Sequence, residues 1–226
     1  MDSKTYSVKG IKIFLSYSIK DKHKVGELKD NLEWLGFEVF LAHEDINPSY
    51  EWQEEIYKNL LECDIFIPYI TKYFKESDWT DQECGIAYKQ SKLIIPLQVE
   101  ITPYGFLNKF QGLKFNPEEI WSETDKIVRV ILKSNKFGDL KDFFIEQFIK
   151  SGCYIDANEI SKKLRYYDNF SEEEVKKICK GSLRNDQVLG AFTARSFLSK
   201  LVYDYEGYVD PTDLSILKKE FLKRQK

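Results

Sequence analysis

Ile11-Lys12-Ile13-Phe14-Leu15-Ser16-Tyr17 opens the ordered pattern of the chain. A short apolar run bounded by polar residues reads as a buried strand. Residues 21–35 follow, with Val25, Leu28, Leu32 and Leu35 spaced by three and four. That spacing predicts an amphipathic helix, and Gly36 predicts its end. The alternation then repeats. Residues 37–42 (FEVFLA), 64–70 (DIFIPYI) and 92–99 (KLIIPLQV) read as further strands. Trp52, Ile56, Leu60 and Leu61 mark the helix face between the second and third of these strands. Residues 77–90 and 117–133 read as two more helices, and Asn47-Pro48-Ser49 marks residues 43–50 as a loop. Pro68 is awkward for a central ladder, because it lacks the N–H a ladder needs.

Strands alternating with helices predict a parallel sheet covered on both faces. Such sheets bind ligands beyond the carboxyl ends of their strands, where the strand order reverses. That rule nominates Ser16, Tyr17 and Ser18 after the first strand, and Ala42, His43 and Asp45 after the second. After the third it nominates Thr71 and the helix start at Ser77. Residues 137–226 read differently. Phe143, Phe144, Phe148 and Ile149 suggest a helix, and 159–167, 171–180 and 185–205 suggest others, with a short last helix after Asp210-Pro211. Ser171 with Glu174 fits a capping box. The expected organisation is an α/β domain over 1–136 and a small all-α module over 137–226.

Composition narrows the chemistry. The chain has 226 residues, 42% hydrophobic and 31% charged, with a formal net charge of -3. That balance argues against nucleic-acid binding by bulk charge. No apolar run approaches the roughly 20 residues of a membrane span. The first ten residues lack the apolar core of a signal peptide, so a cytoplasmic location is expected. The four cysteines form no CxxC pair and read as reduced thiols. Two separated histidines do not make a His-based metal cluster. Glycine-rich phosphate-binding and nucleophile-elbow motifs are absent from the sequence.

Three stretches occur together and in order: Phe14-Leu15-Ser16-Tyr17, residues 39–46 (VFLAHEDI), and residues 77–83 (SDWTDQE). Over roughly residues 9–135 the chain resembles the Toll/interleukin-1 receptor (TIR) domain family, in particular its prokaryotic, NAD+-cleaving branch. The resemblance implies a flavodoxin-like sheet of five parallel strands. It also implies cleavage of NAD+ at the nicotinamide–ribose bond, with NAD+ as substrate and no further cofactor. Enzymatic members carry an essential glutamate in a pattern like Ser-x-Trp-x-x-x-Glu. Here the pattern is Ser77, Trp79 and Glu83, which makes Glu83 the catalytic candidate. The resemblance further implies self-association through the TIR domain and a partner effector or sensor protein.

The residues themselves are compatible with this chemistry. Trp79 and Glu83 are four apart, so they share a helix face. An aromatic beside a carboxylate can pack on a ring and exclude water. Burial there raises the pKa of the carboxyl, which must still ionise to act. Plainer readings exist for the other candidates. Tyr17 equally suits strand-end packing, Asp45 suits an Asx turn, and Trp52 and Trp121 read as helix-face core. Lys20 is the nearest cation after the first strand, and no arginine precedes Arg129. The alternatives to an NAD+ glycohydrolase or ADP-ribosyl cyclase of antiphage defence are a non-enzymatic TIR scaffold and a mimic of host signalling. A nucleotide-sugar or nucleoside enzyme on the same sheet is a further one.

Overall fold

A computed structural model describes residues 10–41, 52–137 and 139–223. The chain divides into two compact units, Met1–Val130 and Ile131–Lys226. In the first unit the order is β1 (Lys12–Ser16), α1 (Lys22–Trp34), β2 (Glu38–Leu41), α2 (Trp52–Glu62), β3 (Ile65–Ile70), α3 (Lys72–Lys75) and α4 (Asp78–Lys89). Then come β4 (Leu93–Ile94), β5 (Leu97–Gln98), β6 (Leu113–Lys114) and α5 (Ile120–Lys133), whose last turn carries the division between units.

All strand pairs are parallel, in the order β2-β1-β3-β5-β6, with β4 also paired to β3. The order reverses between β1 and β3. The carboxyl ends of these two strands therefore flank the crevice where this architecture seats ligands. Ser16, the last residue of β1, lies in register with Pro68 of β3.

Pro68 does sit in a central strand, and the neighbouring ladder shows how. Carbonyls of Asp64, Phe66 and Ile70 accept from Leu93, Ile95 and Val99, so even-numbered backbone groups of this strand face β4 and β5. The missing N–H of Pro68 points to that same side. There the partner strand is split, pairing at 65–66 and again at 69–70. The run 92–99 is thus two short strands rather than the single one expected. β6, only two residues long, gives no periodic signal in sequence.

The sheet faces follow the period of two. Phe14, Phe66 and Ile70 pack with Ile56 and Leu60 of α2 and with Phe74, Cys84 and Ala87 around α4. The other face buries Ile13, Leu15, Ile65 and Ile67. α1 ends as its sequence predicts. Gly36 takes φ 97°, its N–H bonds to Glu33 O at 2.8 Å, and Phe37 N bonds to Leu32 O at 3.2 Å, a Schellman motif. Trp121 is not core, contrary to expectation. It is 65% exposed and meets the 59% exposed Trp34 edge-on, ring centroids 5.7 Å apart. The buried stripe of α5 is Ile120, Thr124, Ile127 and Val128, and Trp121 lies one residue, about 100°, off it. The Trp52 side chain falls outside the described residues.

The second unit holds α6 (Asp139–Ile149), α7 (Tyr154–Leu164), α8 (Glu172–Ser182), α9 (Asp186–Gly190), α10 (Phe192–Asp204) and α11 (Pro211–Lys223). Phe144, Phe148, Ile160, Leu164, Ile178 and Leu198 are buried. The capping box is formed: Glu174 N donates to Ser171 Oγ at 3.2 Å, and Ser171 N to Glu174 Oε2 at 2.7 Å. The helix expected over 185–205 breaks at Ala191, whose ψ of 129° is extended. Asn158 of α7 then caps α10, its Oδ1 accepting from Thr193 N at 2.9 Å and Ala194 N at 3.1 Å.

One packing detail reverses a usual expectation. Replacing a helical glycine by alanine normally stabilises by about 1 kcal/mol. At Gly181 of α8 the new Cβ would lie 2.6 Å from Ile149 Cβ. Overpacking of this kind costs about 1–3 kcal/mol. Gly181→Ala is therefore expected to lower the stability of the helical unit in urea unfolding.

Candidate active site

The site is assembled by the turn that leads into α4. Thr71, at the carboxyl end of β3, caps α3, its Oγ1 accepting from Phe74 N at 3.1 Å. The same hydroxyl donates to Asp21 Oδ2 at 2.7 Å. Ser77 is the N-cap residue of α4, although its own side chain makes no cap bond. Thr80 Oγ1 instead binds the carbonyls of Phe74 and Ser77, each at 2.7 Å. These bonds set where α4 begins and so where its inner face lands.

That face carries Glu83, which is 2% exposed. Ser16 is the next position after Phe14 on the same sheet face, and its Oγ donates to Glu83 Oε2. The other oxygen, Oε1, has no hydrogen-bond partner among the described residues. Burial pushes the Glu83 carboxyl up to about 7, and the Ser16 hydrogen bond holds it from going further. Buried carboxylates are ordinarily paired, so a half-satisfied one beside an open groove is a functional-site candidate.

The groove, of about 480 Å³, runs between two helix faces. Its walls are Gln53, Ile56, Tyr57 and Leu60 of α2 and Trp79, Gln82, Glu83 and Ile86 of α4, with Glu54 at the α2 start. Both sets follow the i, i+3, i+4, i+7 spacing of one helical stripe. The volume lies within the range of about 300–1,000 Å³ typical of small-molecule sites.

The candidates read from sequence separate into groups. Trp79 and Glu83 line the groove, and Ser16 is joined to it only through its hydrogen bond to Glu83. Tyr17 is fully buried, and Ser18 is nearly so, its carbonyl accepting from Asp21 N at 2.7 Å. Neither belongs to the groove wall. Thr71 and Ser77 serve the helix starts just described. Ala42, His43 and Asp45 lie outside the described residues. Lys20 stands over the Tyr73 ring, 4.4 Å from its centroid, and 3.9 Å from Glu76. Tyr57, Gln53 and Gln82 are groove residues that no sequence motif marks. Their one signal was helical spacing beside Ile56, Leu60 and Glu83, which by itself names no chemistry.

Ser16 can be tested through the acidity of its partner. A hydrogen bond to a charged group is worth roughly 1.5–3 kcal/mol, or about 1–2 pKa units. Ser16→Ala removes the one bond among the described residues that favours ionised Glu83. The expected result is a rise in the Glu83 pKa, read by carboxyl carbon NMR across a pH series.

A parallel sheet of this strand order, with a buried carboxylate bonded to the last residue of its first strand, defines a doubly wound α/β domain with a groove between α2 and α4. The chain belongs to the TIR domain family: the family model matches residues 13–130, from β1 to the end of the first unit and more than half of the chain. No curated protein matches the chain.

Proposed function

We propose that the TIR domain is an NAD+ glycohydrolase with Glu83 as its catalytic residue, acting in prokaryotic antiphage defence by NAD+ depletion or messenger synthesis. The observation that carries this reading is the Glu83 carboxylate itself. It is buried, has one oxygen on Ser16 and the other without a partner among the described residues, and lines a groove beside Trp79.

Glycosidases generally use two carboxylates, one of which protonates the leaving oxygen. NAD+ needs no such acid. The C1′–N bond breaks with its electron pair passing to the pyridinium nitrogen, and nicotinamide departs neutral. Positive charge develops on the ribose, where ionised Glu83 stabilises it. Water then adds at C1′ and releases a proton, giving ADP-ribose. If a nucleophile of the same molecule adds instead, the product is a cyclic ADP-ribose. In this reading Trp79 packs against the ring and keeps bulk water from the reacting carbon. Ser16 orients Glu83. Tyr17, Ser18, Thr71 and Ser77, together with Ala42, His43 and Asp45 from outside the described residues, are the further substrate-contact candidates of this reading. The reading includes a cytoplasmic location and self-association through the TIR domain. It also makes residues 137–226 a separate module that regulates assembly or meets an effector or sensor. No helix among the described residues is long and apolar enough to cross a membrane.

The test is release of nicotinamide from NAD+ by the purified full chain at high concentration, beside Glu83→Gln. No release by wild type at any concentration sinks the enzyme reading. A second reading, a TIR scaffold without catalysis, has one observation in its favour: the exposed Trp34–Trp121 pair. Exposed aromatics of this size commonly mark protein contacts.

A further inference from the structure

We propose that the α2–α4 groove selects a cationic ring bearing a neutral amide, and so takes NAD+ in preference to its deamidated, nicotinic acid counterpart. The proposal rests on the glycohydrolase reading and specifies the substrate of that same site. It comes from the chemistry of the walls. Glu54 and Glu83 contribute carboxylates, Gln53 and Gln82 contribute amides, and no lysine or arginine lines the groove among the described residues. Tyr57 and Trp79 stand one on each wall, 53% and 37% exposed.

Two aromatic side chains and two carboxylates suit a flat cation, which gains from ring faces and negative charge together. The pyridinium of NAD+ is such a ring. Its carboxamide both donates and accepts, as a glutamine side chain does, so Gln82 can pair with it. The deamidated ring carries a carboxylate in the same place. That group accepts only, and in a groove with Glu54 and Glu83 it meets like charge with no cation to offset it. Discrimination of this kind works by repulsion of the wrong ligand as well as by attraction of the right one.

The experiment compares base release from NAD+ and from nicotinic acid adenine dinucleotide by the full chain. The expected kcat/KM for the acid form is at least tenfold lower. Glu54→Lys reverses an exposed charge and is expected to narrow that ratio at least fivefold, by raising kcat/KM for the acid form. Gln82→Leu is expected to raise KM for NAD+ severalfold and to leave KM for the acid form within twofold. Equal kcat/KM for the two dinucleotides in wild type overturns the selection while the glycohydrolase reading survives. Release from neither overturns the glycohydrolase reading. In that case nicotinamide and nicotinate are titrated against the protein by NMR, and equal affinity overturns the selection as well.

Discussion

Glu83→Gln is expected to lower nicotinamide release by about 10²–10³-fold, the usual loss when one preorganised electrostatic group is removed from a water-poor site. The substitution keeps the shape and keeps an oxygen for Ser16, so what disappears is the negative charge opposite the developing cation. The loss should fall on kcat more than on KM, because that charge counts most in the transition state. A pH profile gives an independent check. With the Glu83 carboxyl pushed up to about 7, wild type loses its ionised form as pH falls through neutrality. Its rate should therefore climb between pH 6 and 8. A flat profile, or a glutamine variant as fast as wild type, would remove Glu83 from the reaction.

The second large effect is on stability. The Glu83 carboxyl moves from an ordinary value of 4.5 to about 7 on folding. The folded protein therefore holds this proton more tightly than the unfolded chain. Stability from this group is full below about pH 4.5 and is lost as pH rises to about 7, the reverse of a salt-bridged carboxylate. The loss amounts to about 3 kcal/mol. Glutamine carries no such titration. Going from pH 4 to pH 8, wild type should therefore lose about 3 kcal/mol relative to Glu83→Gln in urea unfolding. Cys84, the neighbour whose thiol is pushed up by burial and then by the Glu83 charge, stays protonated over this range in both proteins, so the comparison isolates Glu83. A difference that stays constant with pH would mean that Glu83 is solvated rather than buried. In the proposed reading, that stability cost at neutral pH accompanies the catalytic role of Glu83.

Much of the first unit was legible in the sequence for one reason. The buried strands and the helices behind them must each bury a continuous apolar face, and that requirement writes itself into spacing. The run 11–17 and the stripe Val25, Leu28 and Leu32 carry that signal, and Gly36 ends the helix with φ 97°. Where spacing is silent, sequence does not determine the local structure. β6 is too short for a period. Pro68 read as unsuited to a central strand, because the split between β4 and β5 that accommodates it is a property of the neighbouring segment. Trp121 read as core because a tryptophan on a helix usually is, but its angle about α5 turns it outward.

The same division runs through the candidate site. The order of strands and helices, the pairing of Trp79 with Glu83 on one face of α4, and the nomination of Ser16 all follow from local pattern. Local pattern carries no information about residues 67 positions apart. That Ser16 donates to Glu83 Oε2 is decided by the turn of Thr71, Phe74 and Thr80, which sets α4 over the end of β1. Burial of Glu83, and with it the rise toward 7, is likewise a product of packing from α2, β1 and α4 together. Tyr57 and Gln82 become groove walls only when two helices lie side by side. Sequence determines which faces must be hidden, because apolar area is a property of each segment. Tertiary structure alone decides which polar groups are hidden along with them, because desolvation and hydrogen bonding depend on what the rest of the chain brings near.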